Sequence, residues 1–381
     1  MLTSFNPELK PFNELATSFA EKELSKKAEE HDRYPFGPFF SDVLEKAHKV
    51  GLLGVTLPED MGGIGQGIST LCLILNRICQ ADSSLGGIIF TNSLSQELMI
   101  LAKANDLLKK TLSNATNAGK FLIAFCSFSN PAELQKIPIA KKKGDSYLLN
   151  GELEYVVLGG LASQALIPAK IKGSKQYSFF LIDLSDSAVK RSDPIFSLGL
   201  HACPAVDIEL KGVKGTIIGE EGKGSTYFEE VSRKMHVAAA AMSAGIMKGS
   251  FNEAMAYTKE RFQGGCAIIN WSEVSMILSN MAVKSNVADL CVAQACKAIE
   301  QSVKEWGKHC IAATLHIHEL ACEATTDGIQ LLGGNGYMKD YGQEKRYRDA
   351  KQVQALLGIA PLKKIAIIRE MAGLDDTCAL A

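Results

Sequence analysis

The run Gln330-Leu331-Leu332-Gly333-Gly334-Asn335-Gly336-Tyr337 holds three glycines within four residues, between two stretches of helical character. Glycine accepts positive φ and lets another group approach its backbone closely. An irregular glycine turn between helices also leaves backbone N–H groups able to meet a polyanion. The other use of such a cluster is a helix C-cap and plain loop. Side chains able to move a proton are spread more thinly. Glu229 and Glu230 stand just ahead of an apolar helical segment. His201 and His236 would titrate near neutrality if a cleft held them, whereas a lone His on an amphipathic helix is otherwise packed or solvated. His316 and His318, two residues apart on a helix, diverge, and no metal site is expected. No two of the ten cysteines are spaced Cys-x-x-Cys. Cys72, Cys79, Cys291 and Cys296 fall in apolar helical runs and read as buried reduced thiols.

The elements that must position these groups follow from composition and periodicity. The chain has 381 residues, 46% hydrophobic and 22% charged, which is ordinary globular composition with room for two or three domains. A net charge of −1 gives no reason to expect nucleic-acid or membrane-surface binding. Apolar runs such as Val237 to Met247 are too short to span a bilayer, and Met1 to Lys10 lacks a basic-then-apolar signal pattern, so a cytoplasmic protein is expected.

The predicted fold is mainly α with a β middle domain. Residues 1–120 read as helical: Phe12, Leu15, Phe19 and Leu24 recur at helical intervals, and a second helix runs from Phe40 to Val50 and ends at Gly51. Two apolar helices follow near Ser69 to Gln80 and Ile88 to Ala104. Residues 121–218 change character. Tyr147 to Val157 predicts a hairpin about an Asn150-Gly151 turn, and Ser163–Ile171, Tyr177–Leu184 and Ala205–Leu210 are further strands of a small antiparallel domain. Residues 219–381 are helical again, with periodic segments at Val237–Lys259, Trp271–Lys304 and Ala312–Leu332. Pro361 suits the first turn of a last helix and Gly373 its end.

Gln330, Gly333, Gly334, Gly336, Tyr337, Asp340, Lys345 and Asp349 together resemble the C-terminal signature of the acyl-CoA dehydrogenase family. Pro58-Glu59-Asp60-Met61-Gly62-Gly63 and Gly219-Glu220-Glu221-Gly222-Lys223-Gly224 are similar to that family's motifs at corresponding places. The resemblance implies an N-terminal helical domain, an antiparallel β domain and a C-terminal four-helix bundle. It also implies an oxidoreductase with FAD, acting on an acyl thioester of coenzyme A or acyl carrier protein. Such an enzyme removes a proton α to the carbonyl and passes the β-hydride to the flavin. A homodimer or homotetramer is implied, in which the glycine loop holds a neighbouring subunit's FAD, with electron-transfer flavoprotein as a possible partner. The FAD contacts carried over are Ser129, Tyr155, Arg261, Gln330, Gly333, Gly334 and Gly336.

Several matched positions depart from the family pattern. The usual base, a Glu just before a Gly-Thr pair, is Leu357, and the alternative base position is Met235. Neither side chain can take a proton. Val157, Gly264 and Ile359 replace a hydroxyl, an aromatic and a hydroxyl that meet cofactor in the family, and His201 replaces a substrate-side Arg. No catalytic residue is therefore assigned. The expectation is a divergent acyl-CoA dehydrogenase-like flavoprotein rather than an ordinary fatty acyl-CoA dehydrogenase. The alternatives are a flavin-dependent monooxygenase, which needs no α-proton base, and a non-oxidative thioester-binding protein or enzyme that has lost FAD.

Overall fold

The computed structural model describes residues 6–34, 39–113, 115–126, 136–144 and 146–374. Helices come first. α1 (Lys10–Phe19), α2 (Ala28–Asp32) and α3 (Phe39–Lys49) precede a turn held by Gly51 and Gly62, both at positive φ. α3 buries Phe40, Val43, Leu44 and Ala47, the spacing of one helical face, while its Lys46, His48 and Lys49 suit the negative end of its dipole.

α4 (Ile68–Ala81) and α5 (Ser83–Leu101) are separated by Asp82 alone. Its extended backbone breaks the helix, and its carboxylate accepts the Ser84 N–H at 2.8 Å. That is an N-cap, and it starts α5 five residues ahead of the apolar run at Ile88 from which a helix is expected. α6 (Asn105–Leu112) and the short α7 (Ala118–Phe121) lead into the strands.

The sheet contains β1 (Ile123–Cys126), β2 (Ile139–Lys143), β3 (Ser146–Val157), β4 (Gln164–Ile171), β5 (Tyr177–Asp183), β6 (Val189–Arg191) and β7 (Ala205–Ile218). Its order is β1-β3-β2-β4-β5-β7-β6, and a β3–β7 pairing closes it into a barrel. Pairing is antiparallel except at β1–β4 and β2–β4. The expected hairpin about Asn150-Gly151 does not form. β3 runs straight through, and the pair falls where its register with β7 shifts between Leu149 and Asn150. Gly151 has φ +136°, and a Cβ there would lie 2.9 Å from Pro138 Cα. The dipeptide's tolerance of unusual φ is used for a bulge and a close strand contact instead of a turn. The hairpin joins β2 to β3, pairing Lys143 with Ser146.

The last part is helical: α8 (Gly224–Glu260), α9 (Ser272–Glu300), α10 (Trp306–Leu332), α11 (Gln343–Gln354) and α12 (Ala360–Ala372), with a two-residue ribbon of β8 (Phe262–Gln263) and β9 (Cys266–Ala267) between α8 and α9. α8, α9, α10 and α11 pack as a bundle, with small residues such as Ala238 to Ala241 of α8 fully buried. Gly245 and Gly249 of α8 face the backbone of α4: an added Cβ would meet the Asn76 and Gln80 carbonyl oxygens at 2.4 Å. No helix among the described residues is long and apolar enough to cross a membrane.

Candidate functional site

A cavity of about 870 Å³ opens where the barrel meets the helices. Gly87 and Thr91 of α5 form one wall, and β3 forms another. The register of β3 against β7 shifts again between Leu153 and Val156, and Tyr155 takes φ +57°. A left-handed conformation is disfavoured for a residue with a Cβ by roughly 1–2 kcal/mol. The strain is held in place because the Tyr155 N–H donates to the Asp207 carboxylate at 2.9 Å. The bulge turns the Tyr155 ring into the cavity, where its hydroxyl accepts from Gln352 Nε2 of α11 at 2.8 Å. Burial pushes the phenol pKa up, so it stays neutral.

A third wall is the segment from Ile195 to Cys203, whose position is fixed by charge. Leu200 N–H donates to Asp349 Oδ1 at 2.8 Å, and Arg348 donates to the Leu198 carbonyl at 3.2 Å. The His201 ring places Nδ1 2.8 Å from the Asp32 carbonyl and 3.0 Å from its carboxylate, and Nε2 2.9 Å from the Ser197 carbonyl. Both nitrogens face acceptors, so the ring is held as imidazolium. The hydrogen bond to the Asp32 side chain raises the His201 pKa, ahead of the opposing effect of burial. Burial would push the Asp32 carboxyl up, but hydrogen bonds from His201 and Arg348 and the nearby charges of Lys345 and Arg348 hold it well below the carboxylate range. Because the folded His201 pKa lies above the unfolded value of about 6.5, this contribution is complete below about pH 6.5 and is lost as pH rises through the folded value. The stability difference between wild type and His201→Gln is therefore expected to be largest near pH 5.5 and to shrink toward pH 9, read from urea midpoints across that range.

The floor is the turn after α11. Ala355 and Leu356 line the cavity; Leu357 has φ +58° and Gly358 φ +104°. Beneath it, Lys363 of α12 donates from Nζ to the Leu356 carbonyl at 2.6 Å. Lys363 is 5% exposed, and burial pushes its pKa down to about 8. His236 and His318 lie near this ammonium, and each keeps one buried ring nitrogen without a hydrogen-bond partner among the described residues. Burial, then the charge of Lys363, pushes His236 down to about 3 and His318 well below its ordinary range, so both are neutral.

The structure separates the residues singled out in the sequence. Tyr155 lines the cavity; Arg261, Gln330, Gly333 and Gly334 are exposed and do not line it. Gly336 is buried within the loop, where a Cβ would meet the Ile329 carbonyl oxygen at 2.4 Å. Ser129 lies outside the described residues. Glu229 and Glu230 are not ahead of a helix but within α8, on its exposed side. His201 is an anchor for the wall, and His236 is packed beneath the floor. Met235 is fully buried and Leu357 half-buried. Sequence reasoning missed Lys363 and the carboxylates Glu152, Glu154 and Asp207 on the cavity lining. Their alternating exposure on strands was the only local signal.

This three-part fold, with its cavity between barrel and bundle, has direct counterparts. The acyl-CoA dehydrogenase N-terminal domain matches residues 6–120 and the C-terminal domain residues 222–371. The chain belongs to the acyl-CoA dehydrogenase family, whose members are oxidoreductases acting on CH–CH groups. It is 27% identical over 379 residues to the caffeyl-CoA reductase–Etf complex subunit CarC of Acetobacterium woodii, covering 95% of this chain and 98% of that one. It is 28% identical over 374 residues to the 3-(aryl)acrylate reductase of Clostridium sporogenes, with coverage of 95% and 98%. Among solved structures, the prolyl acyl carrier protein oxidase AnaB shares the fold with a TM-score of 0.86 at 21% identity, covering 96% and 99% of the two chains.

Proposed function

We propose that this chain is an FAD-dependent oxidoreductase acting on the CH–CH bond beside an acyl thioester, whether on coenzyme A or acyl carrier protein. The observation that carries the reading is the cavity walled by Tyr155. Its volume is that of a cofactor or ligand site, and it pairs one aromatic wall with an apolar floor at Ala355 and Leu356, which suits a flat flavin ring, while charged groups of the strands lie on the rest of the lining. Bound there, FAD would accept or donate hydride at the substrate β-carbon, and the accompanying α-proton would be exchanged with solvent, since neither Leu357 nor Met235 can carry it. Tyr155 supplies the ring wall, Gln352 fixes its hydroxyl, and Leu200, Leu356 and Ile137 exclude water. The exposed set Gln330, Gly333, Gly334 and Arg261 then serves a neighbouring subunit's FAD. A Cβ at Gly333 or Gly334 would meet none of the described residues within 4 Å, which suits an open ledge. Met276, Val283 and Leu290 form an exposed apolar stripe along α9 at seven-residue intervals, which supports a homodimer or homotetramer.

No group at Leu357 or Met235 can take the α-proton, so saturated fatty acyl thioesters are poor candidates. Two relatives matched along 95% of the chain are named as reductases, which supports assays of C=C reduction beside dehydrogenation. The apolar floor also favours a second reading, a monooxygenase; oxygen consumption driven by a reductant would distinguish it. The test is anaerobic mixing of the reduced, flavin-loaded protein with enoyl thioesters, including arylacryloyl ones. Return of the oxidised visible spectrum is expected, and none with any thioester would reject the reading. Leu357→Glu should in addition create measurable dehydrogenation of saturated acyl-CoA. A folded, flavin-loaded variant without that gain would show that more than the base has changed.

A further inference from the structure

The outer face of the barrel carries a lysine array that the cavity does not use. Ala140 of β2 faces Leu149 of β3 and both are buried, so their neighbours along each strand point outward. Lys141 lies opposite Leu148, and Leu148 opposite Lys214 of β7. β2 and β4 run parallel, with Ile139 beside Lys170 and Ala140 beside Ile171. Lys172, whose N–H donates to the Ala140 carbonyl at 2.9 Å, is therefore next to Lys141. A row Lys172–Lys141–Leu148–Lys214 thus crosses the four strands, at about 4.8 Å per step. Lys143 and Lys170 extend the same face. None of these five lysines forms an ion pair among the described residues, whereas nearby Lys142 and Lys211 do. Leu148 is half-buried and Ile139 is 39% exposed, so the lysines surround an apolar centre.

Like charges on adjacent strands repel, and the whole chain is nearly neutral. The array is thus a local feature that complements a compact anionic surface with an apolar ridge, such as an acidic amphipathic helix. It is also linked to the cavity. Ile137 lines the cavity and β2 starts two residues later, which puts Lys141 about 13 Å along the strand. On the cavity side Glu152, Glu154 and Asp207 outnumber Lys136, so a polyanion placed directly over the opening is repelled. A partner seated on the lysines would keep its charged groups at that face and send only the slender, uncharged end of an arm past those carboxylates.

We propose that this face docks the acidic surface helix of a thioester carrier protein, whose phosphopantetheine arm reaches the cavity. The proposal rests on the thioester reading above and selects the carrier. The test uses the flavin-loaded protein and the triple variant Lys141→Glu/Lys172→Glu/Lys214→Glu. Probes are a purified acyl carrier protein bearing a crotonyl group, crotonyl-CoA and crotonyl-pantetheine. Calorimetric binding is measured at two salt concentrations, and flavin reoxidation is followed separately. The expected result is carrier-protein binding that weakens with salt and falls roughly tenfold or more in the variant, with flavin retention and the response to crotonyl-pantetheine unchanged. Wild type that does not bind the carrier protein, or a variant that binds it equally well, would overturn the proposal. So would an equal loss for crotonyl-CoA, which would assign the lysines to nucleotide phosphates. Because binding is read without turnover, silence with all three thioesters in the flavin assay would reject the thioester reading while the docking result still stands or falls by itself.

Discussion

Replacing Lys345 with methionine is expected to destabilise the fold by roughly 3–5 kcal/mol, because it strands two buried carboxylates. Lys345 Nζ lies 2.7 Å from Asp349 Oδ2 and 3.4 Å from Asp82 Oδ1, and all three residues are at most 5% exposed. Burial alone would lower the lysine pKa, but the charges of Asp349, Asp82 and Asp32 raise it. Each carboxylate has a second task. Asp82 caps α5 and meets His31 Nδ1 at 3.0 Å, and Asp349 holds the cavity wall at Leu200. The Asp82 pKa is lowered in the fold, where burial is outweighed by Lys345 and His31. Its contribution is therefore present above about pH 4 and lost as pH falls through the folded value. In Lys345→Met that acid-sensitive contribution shrinks as well. The double variant Asp82→Asn/Lys345→Met should recover part of the loss, since the two changes share one interaction. A urea midpoint for Lys345→Met that gives a change under about 1 kcal/mol would show that the network is not coupled in this way.

Lys363→Met is expected to do the opposite near neutral pH. The folded pKa of about 8 lies below the ordinary value of 10.5 because burial disfavours the ammonium. Between those values the unfolded chain binds the proton more tightly, so stability rises with pH. Below about pH 8 the buried charge destabilises the fold, by up to about 3 kcal/mol for a shift of this size. The bond to the Leu356 carbonyl offsets part of that, since hydrogen bonds from charged donors contribute about 1.5–3 kcal/mol. A net gain of about 1 kcal/mol at pH 7 follows, vanishing near pH 10. The freed Leu356 carbonyl should at the same time loosen the turn that places Leu357, seen as faster amide exchange there. A variant less stable than wild type by the same amount at pH 7 and pH 10 would contradict the burial argument.

The two buried lysines show what could be read from sequence. Lys345 and Asp349 form an i,i+4 pair and belong to the family signature, so their contact was legible. Asp82 and Asp32 were not, because pairing across hundreds of residues leaves no local spacing. Lys363 sits in a Lys-Lys pair on an amphipathic segment, a pattern that normally means a solvated face; only packing of α12 on the bundle buries it. Glycines behaved similarly. Gly51 ended its helix as expected, and the Gln330–Tyr337 turn formed. Asn150-Gly151 carried a strong turn signal, but strands on both sides of β3 turned it into a bulge. The helical and strand regions were legible from periodicity, while the cavity was not, since its walls come from β3, α5, the Ile195–Cys203 segment and the end of α11. Of the residues expected at the cofactor, the sequence could place Tyr155 on a strand but could not foresee the second bulge that aims it.

Whether this cavity belongs to a flavoprotein is decided by the visible absorption spectrum after incubation with excess FAD and desalting. Flavin bands should be retained in about equimolar amount with the chain and lost on unfolding. A colourless protein that is folded by circular dichroism would contradict it, and would mean that the acyl-CoA dehydrogenase scaffold serves chemistry without flavin.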